Sequence, residues 1–205
     1  MIIGVTGNVG SGKSTVVGFL REYGWKTIDV DAMAHEIVQH DTEVRNQIQT
    51  CFGPACFSED GKLQRRKLGR IVFSDPEKLQ QLNDIVWPEL VRILQKQIRR
   101  LREHPEPADV AVDMAVLFES RCQFMFDCVL LVVAPKVDRT QRLKQMRHWT
   151  AKEIRHRMQS QMDDSEKIEK AHYIIHNDGS IAELKEKIRV FLHWHHQQCQ
   201  KHRKE

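Results

Sequence analysis

The sequence predicts an α/β fold built on a parallel sheet, and three observations carry that prediction. The chain opens on an apolar run, Ile2-Ile3-Gly4-Val5, which breaks into a glycine-rich loop and then an amphipathic helix bearing Val16, Val17, Phe19 and Leu20. A later run, Cys128-Val129-Leu130-Leu131-Val132-Val133, is apolar throughout, as a central parallel strand covered on both faces requires. Between these runs lie long stretches with helical spacing, the pattern expected of strands joined by crossovers.

With 205 residues the chain can bury one α/β core with appendages and is short for two independent domains, so a single domain over residues 1–205 is expected. The 32 basic and 28 acidic residues leave a net charge of +4, which suits phosphorylated small ligands and falls short of a nucleic-acid surface. The five cysteines are odd in number and show no C-x-x-C spacing, the signature of reduced thiols in a cytosolic protein. No basic region precedes the first apolar run, and no stretch approaches membrane-spanning length. A cytoplasmic protein without membrane or nucleic-acid partners is expected.

The first loop is the most specific local signal. Gly7, the four residues Asn8, Val9, Gly10 and Ser11, and then Gly12-Lys13-Ser14 reproduce the Walker A spacing. Glycines let the backbone turn several amides onto one anion. Lys13 reaches outer phosphates, and Ser14, followed by Thr15, offers a hydroxyl to Mg²⁺ at the positive end of the next helix. The context of strand, loop and helix predicts a P-loop NTPase three-layer fold that binds a nucleotide through Gly7 to Thr15.

Trp25 to Val30 reads as a second strand, with Asp29 and Asp31 at its end. A carboxylate at the carboxyl end of a parallel strand faces the ligand crevice. Asp31 is the better candidate because Ala32 to Val38 continues as a helix, placing it at or next to the N-cap; a capping role alone is the competing reading. Residues about 32–104 are largely helical, broken by Phe52-Gly53-Pro54 and Glu59-Asp60-Gly61. That is far more than a crossover needs, so a helical substrate-binding insertion is expected. Within it Arg65-Arg66-Lys67 either holds an anionic substrate or is a solvated face.

The third strand, Asp109 to Asp113, ends in a carboxylate that resembles a Walker B aspartate and could help place Mg²⁺. Glu119 is read either as a substrate contact or as a helix-start residue. Residues about 137–170 are charged and helical, with Arg139, Arg142, Arg147, Arg155 and Arg157, as a lid closing over phosphate would be. Tyr173 to His176 completes a five-stranded parallel sheet before a C-terminal helix from Ile181. In the tail, His193-Trp194-His195-His196 with Cys199 and His202 raises a metal reading. Its spacing is uneven and no partner cluster is evident, so a surface helix is the expectation.

Together these motifs resemble the dephospho-coenzyme A kinase family from Ile2 to about Leu184. The loop from Gly4 to Thr15, the acidic pair in Ile28-Asp29-Val30-Asp31 and the segment Asp60 to Arg65 with Leu68, Val72-Phe73 and Leu82-Asn83 are similar to its signatures. So are Asp113 to Glu119, Gln141-Arg142 to Gln161, and Ile175 to Gly179. The chain departs from the pattern at Asn8, where a glycine is frequent, and at Trp87 before Pro88, where His is usual. Ala115 replaces a common proline, His172 a common Asp, and Met146 stands where a second lid arginine is expected.

The resemblance implies transfer of the ATP γ-phosphoryl group to the ribose 3′-hydroxyl of dephospho-coenzyme A, with Mg²⁺. It implies Asp31, Lys13 and Arg142 as catalytic residues and Asn177 as a further nucleotide contact. Asp31, Arg65, Asp113 and Glu119 would bind substrate, and Ser14 and Asp113 the metal. A monomer or weak homo-oligomer is expected. Two alternatives share the loop: a P-loop kinase for another metabolite, such as a nucleoside monophosphate, and a nucleotide-binding regulatory switch.

Overall fold

The computed structural model describes residues 1–105, 108–147 and 149–202, with Arg65, Lys201 and His202 described for the backbone alone. Two compact units make up the chain, Met1–Asp29 with Leu101–Glu205, and Val30–Arg100.

The first unit holds the sheet: β1 Ile2–Thr6, β2 Lys26–Asp29, β3 Val110–Asp113, β4 Cys128–Val133 and β5 Tyr173–His176. All pairings are parallel, in the order β2-β3-β1-β4-β5. Every residue of β1, β3 and β4 is buried, which explains why their sequences carry apolar residues on both faces. β2 and β5 lie at the edges and are partly exposed. The five strands and their parallel sense match the sequence expectation.

Helix α1, Lys13–Glu22, packs one face into this core through Val16, Val17, Phe19 and Leu20. The second strand is shorter than expected. The Trp25 amide bonds back to the Leu20 carbonyl, so ladder pairing starts at Lys26. At the other end β2 passes directly into a helix at Val30. Three helices, α6 Lys136–Arg147, α7 Ala151–Gln159 and α8 Asp164–Lys170, occupy the region expected to form a lid. A capping box between Thr150 and Glu153 fixes the start of α7. The last helix, α9 Ile181–His202, buries Leu184, Ile188, Phe191 and His195.

The second unit is helical: α2 Val30–His40, α3 Thr42–Phe52, α4 Arg65–Val72, and the start and body of α5 Pro76–Arg102. Asp41 caps α3 by accepting from the Val44 amide at 2.9 Å. A single antiparallel bridge between Phe57 and Leu63 closes the loop before α4. Arg45 braces that loop by donating to the carbonyls of Gln39 and Gly61.

No disulfide joins the five cysteines, and among the described residues no helix is long and apolar enough to cross a membrane.

Candidate active site

The phosphate loop is shaped by close approach and by two left-handed glycines, Gly10 and Gly12. A Cβ on Gly7 would collide with the Val132 carbonyl of β4, so only glycine lets the chain leave β1 against its neighbour. Gly12 takes φ 91° and caps α1, and its carbonyl accepts from the Thr15 and Val16 amides at 3.0 and 3.1 Å. Among the described residues, the amides of Gly10, Gly12 and Ser14 donate to no protein acceptor. α1 also has no acidic residue in its first turn. Several unpaired donors and the positive end of a helix dipole therefore coincide, which is the physical requirement for binding phosphate.

Lys13 is ion-paired with Asp113. Asp113 is the last residue of β3, in register with Val5 of β1 and Asp29 of β2, so the strand delivers its carboxylate to the loop that carries Lys13. Ser14 is exposed in the first turn of α1.

Two residues brace the loop's carbonyls. Asn177, just past β5, donates from Nδ2 to the Ser11 carbonyl at 2.8 Å. Arg142 on α6 reaches the Gly10 and Ser11 carbonyls, both at 3.4 Å, and the Asn177 carbonyl at 3.1 Å. The sequence expected Asn177 to touch the nucleotide and Arg142 to descend onto phosphate; here both hold the loop backbone.

The turn between α7 and α8 is stitched to the same loop. The Val9 amide donates to Gln161 Oε1 at 2.8 Å. Asn8 Nδ2 donates to the Met162 carbonyl at 3.0 Å and to Asp164 Oδ1 at 2.7 Å. Asp164 in turn pairs with the buried Arg139 at 3.0 Å. Glu119 Oε1 accepts from the Met162 amide at 3.0 Å and pairs with Lys167 Nζ at 2.8 Å, whose side chain is completely buried. Glu119 is not at a helix start, and its half-buried carboxylate, paired with Lys167, secures the α7–α8 turn. Of the other lid arginines, Arg157 stacks over Trp149 at 4.0 Å, whereas Arg147 and Arg155 are exposed.

In the second unit, Asp31 lies inside the first turn of α2 and is exposed. The helix starts two residues earlier than an N-cap at Asp31 needs, and among the described residues the Asp31 carboxylate accepts no hydrogen bond. Arg65 opens α4, and its side chain lies outside the described residues.

Comparison with known proteins supplies the family. Its dephospho-CoA kinase profile matches residues 1–183. The chain belongs to the dephospho-CoA kinase family. It is 38% identical to a dephospho-CoA kinase from Bacillus cereus over 192 residues, which is 94% of this chain and 96% of that one. A crystal structure of TT1252 from Thermus thermophilus superposes with a TM-score of 0.76 at 35% identity, covering 94% of this chain and 96% of that one. A dephospho-CoA kinase structure from Campylobacter jejuni gives 0.70 at 25% identity, covering 94% and 95%. The profile runs through the segment 32–104, where a kinase for another acceptor would differ most.

Two departures from the family pattern acquire physical roles. Asn8 does not adopt positive φ; it uses its amide to tether Met162 and Asp164. His172 presents Nδ1 as acceptor to the Val129 amide at 3.1 Å, a bond that a carboxylate could equally accept.

Proposed function

We propose that this chain transfers the γ-phosphoryl group of ATP to the ribose 3′-hydroxyl of dephospho-CoA, yielding CoA in the final step of its biosynthesis. The observation that carries the reading is the pairing of Lys13 with Asp113 beside a loop in which the Gly10, Gly12 and Ser14 amides donate to no protein acceptor among the described residues, in a chain of this family.

Phosphoryl transfer demands positioning and neutralisation of charge more than covalent help. Within the loop from Gly7 to Thr15, the amides of Gly10, Gly12 and Ser14 hold the β- and γ-phosphates, and Lys13 turns from Asp113 toward their oxygens. Arg142 and Asn177, anchored on the loop's carbonyls, keep those amides pointed at the anion. The 3′-oxygen forms a bond to the γ-phosphorus as the β–γ bridging bond breaks. The electron pair of that bond leaves on ADP, and the hydroxyl proton passes to Asp31. Arg65 supplies positive charge for the acceptor's anionic groups, and Glu119 acts as a positioning residue through the α7–α8 turn.

The donor set fits Mg²⁺. Ser14 contributes a hydroxyl and Asp113 a buried carboxylate, hard oxygens of the kind that ion takes, with Asp113 Oδ1 held by Lys13. When bound, Mg²⁺ neutralises charge on the phosphate oxygens. We place the enzyme in the cytoplasm as a monomer or weak homo-oligomer acting on small molecules, without a nucleic-acid partner.

A coupled ADP-release assay tests the reading. Turnover with dephospho-CoA and none with nucleoside monophosphates is expected, together with its loss in a folded Lys13→Ala variant. Near-normal turnover by Lys13→Ala would end the assignment of the loop.

A further inference from the structure

The C-terminal helix carries a feature that the kinase chemistry does not use. His195 and Cys199 are one turn apart on α9 and face Asp109, the residue before β3. The three side-chain donor atoms lie within 4.8 Å of one another. His195 Nε2 is 3.4 Å from Asp109 Oδ1, and Cys199 Sγ is 3.6 Å from the same Nε2. His195 is only 4% exposed, walled by Trp25 with ring centroids 4.6 Å apart, while the Asp109 side chain is 40% exposed and leaves a route from solvent. The tail is therefore not the plain surface helix the sequence suggested, and a carboxylate from another part of the chain completes the cluster. The signal was present in the register: Leu184, Ile188, Phe191 and His195 follow one another at intervals of four, three and four along a single buried stripe.

We infer that Asp109, His195 and Cys199 form a zinc-binding site. One imidazole nitrogen faces both the thiol and the carboxylate. The other ring nitrogen, Nδ1, lies 3.9 Å from Cys199 Sγ, and a cation in their midst would be met by a donor atom from each of the three side chains. The separations also fit coordination. With Zn–S of about 2.3 Å and Zn–N and Zn–O of about 2.0 Å, tetrahedral angles put sulfur and nitrogen about 3.5 Å apart and nitrogen and oxygen about 3.3 Å apart. Sulfur, imidazole nitrogen and carboxylate oxygen are the donors that suit Zn²⁺ among the common divalent ions.

Binding forms Zn–S, Zn–N and Zn–O bonds, and the Cys199 thiol releases its proton to solvent. Asp109 Oδ1 also accepts from the Met1 amino group at 2.9 Å; a carboxylate has enough lone pairs to serve both, and water takes the fourth position. The ion would staple the start of β1, the approach to β3 and α9, a structural role separate from the phosphate loop.

The test uses untagged full-length protein, stripped with chelator and titrated with Co²⁺ and then Zn²⁺. One equivalent of Co²⁺ is expected to produce tetrahedral d–d bands and a thiolate charge-transfer band, both bleached by one equivalent of Zn²⁺. Cys199→Ser should abolish the charge-transfer band and weaken binding at least tenfold, and Asp109→Asn should weaken it without loss of fold. His193→Gln and His196→Gln, at exposed positions on the same helix, should leave the spectrum unchanged. Absence of the band in the parent chain, its survival in Cys199→Ser, or its loss in His193→Gln or His196→Gln overturns the site. Circular dichroism on each variant separates lost ligands from lost structure.

Discussion

At the residue scale, side chains in this molecule act mostly by holding backbone in place. Arg142 and Asn177 hold the carbonyls of the phosphate loop, and Asn8 and Val9 hold the turn after α7. Asp31 is different, because its carboxylate accepts no hydrogen bond among the described residues. As the acceptor of the hydroxyl proton, Asp31→Asn should lower kcat by about 10² to 10⁴ while ATP affinity stays near the parent value. A loss of stability with an unchanged rate would return Asp31 to a helix-end role. The Glu119–Lys167 pair makes an opposite prediction. Glu119→Ala leaves a fully buried ammonium uncompensated and should destabilise the fold by about 3 to 5 kcal/mol, read as a lower denaturation midpoint.

At the element scale, the phosphate loop was legible because its function is written locally: spacing, glycines and the flanking strand and helix all fall within Ile2 to Glu22. The α7–α8 turn was not, because its anchors are distant in sequence. Met162 meets Glu119 across 43 positions and Asn8 across 154. Nothing in the polar stretch Asp164–Lys170 marks Lys167 as buried, since a lysine pointing to solvent gives the same local pattern. α9 lies between these cases. Phe191 packs within 5.1 Å of Tyr173 and 6.2 Å of Trp25, centroid to centroid, and joins the helix to the sheet's edge. Phe191→Ala should cost about 3 to 5 kcal/mol, measurable by urea denaturation. A loss below about 1 kcal/mol would mean that α9 is only loosely docked.

At the scale of the whole molecule, the parallel sheet and its five strands could be read from runs such as Cys128–Val133, where burial on both faces leaves an unbroken apolar signature. Boundaries were less legible. Trp25 reads as strand from its side chain, yet its amide is committed to the end of α1, and Val30 reads as strand although the chain has already turned helical. Both errors arise because apolar side chains report burial and leave backbone pairing open. The family match, spanning residues 1–183, joins the loop, the helical unit and the arginine-bearing helices into a claim about one acceptor. That claim is tested most directly by locating the new phosphate. Purified protein, Mg²⁺-ATP and dephospho-CoA should yield a single product whose phosphorus resonance is that of a ribose 3′-phosphomonoester, identical to authentic CoA. A phosphate at any other position, or ATP hydrolysis with dephospho-CoA left unchanged, would contradict the account.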